Sequence, residues 1–252
     1  MNLFDRKGKR LQLSEKGRLI FHYAEDIFQL GDELKNVLKT QHPTTWQKFH
    51  VGITDVIPKM LACQLLQPVL TMEGPVKLIC HEGEQNNLLA DLAIDKLDMI
   101  ITDQPLPPNS PIKAYNHKLT YSGFTFFAPD NMDHLGPENF PQNLSGEPFL
   151  LQGKRSVIRQ SLLSWFEQEK IAPNIIAEFD DSAMLKSFAQ AGYGIFIGPS
   201  ILAQHIKAQY NVFSIGSTEE INDHYYAISP ERRLKHPAVL EIFKQVEREF
   251  KN

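Results

Sequence analysis

Residues 49–103 read FHVGITDVIPKMLACQLLQPVLTMEGPVKLICHEGEQNNLLADLAIDKLDMIITD. Three apolar runs rich in β-branched residues, 49–54, 76–80 and 97–101, alternate with two segments of helical periodicity. The stretch therefore predicts strand, helix, strand, helix and strand. This order is typical of an open parallel sheet that carries helices on its faces, so we expect an α/β fold.

A second unit of similar plan follows the proline-rich run at residues 104–111. Strands are expected at residues 121–128, 149–152, 174–179 and 195–197, and helices at residues 153–166 and 183–190. A late strand at 225–229 and a closing helix at 237–250 follow. Two units of one plan predict two lobes with a cleft between them. We place lobe I at residues 48–121 and 223–252, and lobe II at 122–222.

The first 41 residues have a different character. Residues 3–13 predict a hairpin with its turn at Gly8, and Ser14 is a good N-cap for one long helix over residues 14–41. Apolar residues recur along that helix at alternating spacings of three and four, which is the seam of a coiled coil. We expect the helix to dimerise through Ile20, Tyr23, Ile27, Leu30, Leu34 and Val37.

Composition excludes several classes of protein. The chain has 252 residues, 42% hydrophobic and 22% charged, which suits one large or two modest globular domains. It has no apolar run near the ~20 residues of a membrane span and no secretory signal at its start, so we expect a cytoplasmic protein without a membrane partner. The two cysteines, Cys63 and Cys80, have no metal-ligand spacing.

Four stretches carry a resemblance to the LysR-type transcriptional regulators. They are LFDRKGKRLQLSEKG at 3–17, LDMII at 97–101, FDDSAMLKSFAQAGYGIFIGP at 179–199, and 226–239 with its HPAV. The resemblance implies a two-lobed, periplasmic-binding-protein-like effector domain, preceded by the wing of a winged helix-turn-helix and a linker helix. It also implies a dimer or tetramer that regulates transcription.

Further stretches resemble those family members that activate a sodium/proton antiporter gene. They are KLDMIITDQP at 96–105, LLQGKRSVIRQSLLSWF at 150–166, EFDDSAMLKSF at 178–188 and ERRLKHPAV at 231–239. This likeness implies an activator that responds to Na⁺ or Li⁺ and to alkaline pH.

The family has three DNA-reading helices before the wing, whereas this sequence starts within the wing. Residues 1–18 hold six basic and two acidic side chains in a chain of net charge −4. We therefore expect residues 1–13 to be a wing remnant that contacts DNA phosphates through Arg6, Lys7, Lys9 and Arg10. DNA binding would then be non-specific or through a full-length partner. In the alternative interpretation, the chain is a small-molecule-binding fragment that acts as a dominant partner of a full-length regulator.

Ligands of open α/β sheets bind beyond the carboxyl ends of the strands. The residues expected there form the candidate effector site, namely Thr54, Asp55, Thr102, Asp103, Gly153, Ser156, Asp180, Asp181 and Ser182. Their carboxylates suit a hard cation such as Na⁺, or an organic cation. Two alternatives stay open. Asp55, Asp180 and Ser182 also suit helix caps, and Lys154 with Arg155 would favour an anionic effector.

Nothing in the sequence indicates catalysis. The chain has no GxSxG, no Walker glycine loop and no GxGxxG, so we expect neither an enzyme nor a cofactor. Its nine histidines show no metal-binding spacing, although His22 and His81 would suit a pH sensor. A stand-alone solute-binding protein of similar two-lobed plan is a third interpretation, and the basic wing and the coiled-coil seam argue against it.

Overall fold

The computed structural model describes residues 3–7, 10–14, 16–17, 20–21, 24, 27–28, 31, 47–154, 156–230 and 236–250. The chain divides into two compact units. One comprises Met1–Lys48 and Glu73–Lys77, and the other comprises Phe49–Met72 and Leu78–Asn252.

The predicted N-terminal hairpin is confirmed. Strands β1 (Phe4–Lys7) and β2 (Arg10–Leu13) pair antiparallel, with Lys7 opposite Arg10 next to the turn. The Ser14 backbone N–H then donates to the Leu3 carbonyl at 3.0 Å, which closes the open end of the hairpin.

Ser14 is also the predicted N-cap, because its hydroxyl accepts a hydrogen bond from the Gly17 N–H at 2.9 Å. Every described residue between 16 and 31 is helical. Of the predicted seam, Ile20 is 37% and Ile27 is 69% exposed. The other seam residues, Tyr23, Leu30, Leu34 and Val37, lie outside the described residues, as does the wing residue Lys9.

Residues 47–229 contain a six-stranded sheet. Its strands are β3 (Gln47–Thr54), β4 (Val76–Gly83), β5 (Met99–Thr102), β6 (Tyr115–Pro129), β9 (Phe196–Pro199) and β10 (Val212–Ser229), and they lie in the order β4-β3-β5-β10-β6-β9. Strands β3 and β5 are parallel, as their apolar runs predict, whereas β10 pairs antiparallel with both β5 and β6. Both faces of this sheet are buried where β5 lies, since all four of its residues are buried.

Two hydrophobic cores flank the long strands. The first core draws on α2 (Gln85–Ala93) and neighbouring strands, through Leu88, Leu92, Ile100 and Ile228. Helix α1 (Lys59–Thr71) packs on α6 (Pro237–Glu249), although the two helices lie far apart in the sequence. No helix within the described residues is long and apolar enough to cross a membrane.

The second core lies among residues 124–221 and is rich in aromatic side chains. It is built around a parallel pair of strands, β7 (Pro148–Gln152) and β8 (Asn174–Phe179), and around α3 (Val157–Gln168). The Phe126 ring centroid lies 5.2 Å from that of Trp165, a spacing that favours aromatic packing. Helices α4 (Ser182–Gln190) and α5 (Ala203–Tyr210) complete this part.

The chain passes between the two cores on β6 and returns on β10, and these strands are far longer than predicted. They contain 15 and 18 residues, and they pair along almost their whole lengths. The pairing is interrupted where Phe124 faces Thr218 and Gly123 faces Asn222, which leaves a three-residue bulge of Glu219, Glu220 and Ile221. The late strand expected at residues 225–229 is confirmed, but it is the end of β10, which begins 13 residues earlier at Val212.

Candidate effector-binding site

The first group of predicted site residues lies at the carboxyl ends of β3 and β5. Ile53 pairs with Ile101, so Thr54 and Thr102 end their strands at the same level. The Thr54 hydroxyl is buried and has no hydrogen-bond partner among the described residues. The Thr102 hydroxyl accepts from the Gln104 N–H at 3.2 Å and donates to Asp103 Oδ1 at 3.5 Å. The two parallel strands therefore present one unpaired hydroxyl and one carboxylate.

Strand β10 adds two residues to this group. Tyr226 pairs with Thr102, so Tyr225 and Asp223 fall on the side of the ladder where Asp103 continues β5. Burial and the nearby Asp103 carboxylate raise the pKa of Asp223 to about 6. Burial also raises the pKa of Asp103, although hydrogen bonds from its own N–H and from Thr102 oppose the shift. Burial raises the pKa of the Tyr225 hydroxyl, and the negative charges of Asp223 and Asp103 raise that pKa further.

The second group lies at the carboxyl ends of β7 and β8, where Gln152 pairs with Phe179. The Gly153 N–H donates to the Phe179 carbonyl at 2.7 Å. A Cβ atom on Gly153 would lie 1.9 Å from Oδ1 and 3.1 Å from Cα of Asp180, so a larger residue here would have to displace Asp180. Arg159 holds the same strand ends, since its two terminal nitrogens donate to the Gln152 carbonyl and to Glu178 Oε1, each at 2.7 Å.

Helix capping in this group differs from the sequence-based expectation. Helix α4 begins at Ser182, and its N-cap is Asp181, whose Oδ1 accepts from the Met184 N–H at 2.7 Å. The capping role expected for Asp180 and Ser182 was therefore wrong by one residue. It was also wrong for Asp55, because the N-cap of α1 is Pro58, three residues later. Asp55, Asp180 and Ser182 are all exposed.

Ser156 occupies the N-cap position of α3, but its side chain makes no capping hydrogen bond. Lys154, the basic residue that would favour an anionic ligand, is exposed, and Arg155 lies outside the described residues. The structure thus gathers the predicted residues into two groups. Thr54, Thr102 and Asp103 form one, and Gly153, Ser156 and Asp180 to Ser182 form the other.

Sequence reasoning missed three polar residues of the site. Tyr225 begins the late strand predicted at residues 225–229, and Asp223 lies two residues before it, but neither was assigned to the site. Gln152 ends a strand as Thr54 does. Tyr225 Oη and Gln152 Oε1 are buried and have no hydrogen-bond partner within the described ranges. One signal was present in the sequence, since Asp223 stands two residues after Ile221 and two residues before the aromatic and apolar run from Tyr225 to Ile228. Burying a carboxylate costs free energy unless the group is paired or hydrogen-bonded, so an acidic residue in a strand of this kind is a candidate site residue.

The donor set excludes one familiar kind of metal centre. Across the part of the chain that the structure describes, no three His, Cys, Asp or Glu side chains come together in a way that would hold a metal ion. The free thiols of Cys63 and Cys80 are both exposed. What the first group offers instead is two carboxylates and uncharged hydroxyl oxygens.

Comparisons with known proteins agree on one family. A family model for the LysR substrate binding domain matches residues 47–251. The chain is 33% identical over 241 residues to the transcriptional activator protein NhaR of Escherichia coli, an alignment that covers 95% of this chain and 78% of NhaR. CbnR, a LysR family transcriptional regulator, superposes with a TM-score of 0.60 at 13% identity, over 97% of this chain and 84% of CbnR.

A structure with a bound ligand is also similar. The effector-binding domain of QuiR, in complex with shikimate, superposes with a TM-score of 0.53 at 18% identity, over 82% of this chain and all of that domain. At such identity the likeness shows the fold alone.

Proposed function

The chain belongs to the LysR family of transcriptional regulators, and on that premise we propose that it activates transcription of a gene for a sodium/proton antiporter. The observation that carries the proposal is the 33% identity to the activator NhaR over 95% of this chain. The relatives are regulators of transcription rather than enzymes, in keeping with the absence of catalytic motifs from the sequence.

Regulators of this family bind DNA, associate with copies of themselves and respond to small molecules. We propose that residues 14–41 dimerise, since Ile27 exposes 69% of its surface on a helix whose apolar residues recur at coiled-coil spacing. Residues 48–121 with 223–252, and 122–222, then form the two lobes that sense the effector. As a regulator of transcription, the protein acts in the cytoplasm.

The proposed effector is Na⁺ or Li⁺, with alkaline pH as a second signal. Two features support a cation. Asp103 and Asp223 lie within electrostatic reach of each other, and no Lys or Arg side chain of the described residues pairs with either of them. Binding acts by population shift, because an effector with higher affinity for one arrangement of the lobes or subunits favours that arrangement.

The test is a deletion of the gene in the bacterium that carries it. Antiporter transcript is measured after a shift to NaCl, and to KCl or choline chloride of equal osmolarity. We expect several-fold induction by Na⁺ in the parent strain and none in the deletion strain, with recovery on reintroduction of the gene. Equal induction in both strains would show that another regulator carries the response.

A further inference from the structure

Two histidine rings meet on the six-stranded sheet, away from the carboxyl ends of its strands. His50 lies on β3, and His81 lies on β4, the edge strand next to β3. His50 Nδ1 is 3.3 Å from His81 Nε2. His50 precedes Thr54, the last residue of β3, by four positions, or ~13 Å along an extended strand. The pair is therefore distinct from the candidate effector site.

The two rings face each other through their nitrogen-bearing edges. Their centroids are 5.6 Å apart and their planes differ by 14°, whereas the facing nitrogens are much closer, at 3.3 Å. An imidazole nitrogen that carries no proton accepts a hydrogen bond or binds a metal. Both rings therefore present a metal-binding nitrogen to the gap between them.

The position of His50 is fixed through its backbone. The His50 N–H donates to Asp98 Oδ2 at 2.7 Å, and the Asp98 N–H donates to the His50 carbonyl at 2.8 Å. His50 is half-buried and His81 is exposed, so the pair is held on one side and open to solvent on the other. Ligands that are already in place need little rearrangement to bind an ion.

The distance between the two nitrogens fits a shared metal ion. Zinc binds imidazole nitrogen at about 2.0–2.1 Å in tetrahedral geometry, which sets two such nitrogens about 3.3 Å apart. A direct hydrogen bond between the rings uses the same two nitrogens, with a single proton between them. A metal ion takes the place of that proton, which moves to the outer nitrogen of its own ring.

We propose that His50 Nδ1 and His81 Nε2 bind one divalent transition-metal ion of the zinc class, with water completing its coordination. Imidazole suits Zn²⁺, Cu²⁺ and Ni²⁺, whereas Mg²⁺ and Ca²⁺ prefer oxygen ligands. Cys80 and Glu82 flank His81 and point to the other face of β4, so neither is a ligand. Glu82 pairs instead with Lys59, at 2.7 Å. The site goes beyond the proposed function and does not rest on it.

Such an ion ties the edge strand β4 to β3. The two histidines are 31 residues apart in the chain, so folding is what brings them together. An ion that binds the folded chain and not the unfolded one raises the stability of the fold. Metal binding is therefore expected to raise the melting temperature.

The test titrates Zn²⁺ into the purified, untagged chain by isothermal titration calorimetry, with Mg²⁺ in a parallel titration. We expect Zn²⁺ to bind and Mg²⁺ not to bind. His50→Gln and His81→Gln are each expected to weaken Zn²⁺ binding about tenfold or more, since each removes one of the two protein ligands. Zn²⁺ should raise the melting temperature of the parent chain more than that of either variant.

Two control variants separate this site from other metal ligands. Cys80→Ser removes the thiol next to His81, and His134→Gln removes an exposed histidine that bonds to Glu147 instead. Both should bind Zn²⁺ like the parent chain. His81 is exposed, so His81→Gln should keep the melting temperature of the parent in EDTA and decides the test even if His50→Gln is less stable.

Three results would overturn the site. They are an absence of Zn²⁺ binding by the parent chain, binding by His81→Gln with the affinity of the parent, and an equal loss of binding in Cys80→Ser and His81→Gln. None of them bears on the proposed function, because that function is tested on the antiporter transcript. Conversely, Zn²⁺ binding that depends on both histidines supports the site whatever the transcript shows.

Discussion

Gly153 and Asp180 approach so closely that a Cβ atom on Gly153 would meet the Asp180 carboxylate at 1.9 Å and the Asp180 Cα at 3.1 Å. This approach joins the carboxyl ends of β7 and β8, where the Gly153 N–H also bonds to Phe179. Because residue 153 has no side chain, the end of β7 can approach Asp180 at the end of β8 this closely.

Gly153→Ala is expected to destabilise the protein by ~1–3 kcal/mol, the usual cost of overpacking. Rotation of the Asp180 side chain relieves the shorter clash, but the new methyl group still presses on the Asp180 backbone. Urea unfolding measures the loss. Gly136→Ala is the matched control, because a Cβ there would have no neighbour within 4 Å. Equal stability of the two variants would contradict the close approach.

Asp181→Ala is expected to cost ~1 kcal/mol of stability, because it removes the N-cap of α4 and leaves the Met184 N–H without its acceptor. Chemical denaturation measures the difference from the parent chain. Asp180→Ala provides a control of the same chemistry one residue away, and we expect it to change the free energy of unfolding by less. A larger loss at Asp180 than at Asp181 would return the capping role to Asp180.

Asp223→Asn is expected to stabilise the protein in a way that depends on pH. The folded-state pKa of Asp223 is about 6, against an ordinary value of 3.8. A carboxyl group whose pKa is raised by folding contributes stability fully below about pH 3.8, and that contribution is lost as the pH rises to about 6. The difference of about two pKa units bounds the effect at ~3 kcal/mol.

The measurement is the free energy of unfolding of Asp223→Asn and the parent chain at several pH values in choline chloride. The advantage of the variant should grow from pH 4 to pH 6 and stay constant above. A constant advantage across the whole range would show that the Asp223 carboxyl titrates alike in the folded and unfolded chain.

Glu220→Ala is expected to destabilise the three-residue bulge in β10. Glu220 Oε2 accepts a hydrogen bond from the Trp165 indole N–H at 2.8 Å, and Trp165 is buried in the second core. Truncation leaves that donor without an acceptor, at a cost of ~1–3 kcal/mol. Thermal unfolding followed by tryptophan fluorescence reports the change. Glu167→Ala on α3 offers an exposed carboxylate for comparison.

Much of the fold could be predicted from residues 49–103, because short apolar runs and helical stretches alternate there in the order of a parallel sheet. Strand β10 was harder to predict. Ser217 to Glu220 are polar and include part of a bulge, so the two-residue alternation that marks a strand is lost there. Tertiary pairing with β6 holds the segment in the sheet instead.

Some residues of the candidate site could be placed at strand ends from the sequence. Thr54 and Thr102 end parallel strands, and ends of this kind can be placed from local sequence alone. Asp223 and Tyr225 could not be placed, because their nearness to Asp103 depends on the register between strands that lie far apart in the chain. The cap of α4 was misplaced for a simpler reason, since Asp180 and Asp181 are equally good capping residues and only geometry distinguishes them.

The paired strands β6 and β10 also restrict how the two cores can move. Strand β10 also pairs with β5, and β6 also pairs with β9, so the pair is a two-stranded ribbon only between these pairings, where we expect it to twist most readily. The three-residue bulge interrupts the ladder within this stretch, and we expect the pivot there. Asp223 stands two residues from the end of the bulge, close to this pivot. A ligand bound there has a short lever arm. We therefore expect such a ligand to change the torsional stiffness and rest angle of the ribbon rather than to pull the cores together.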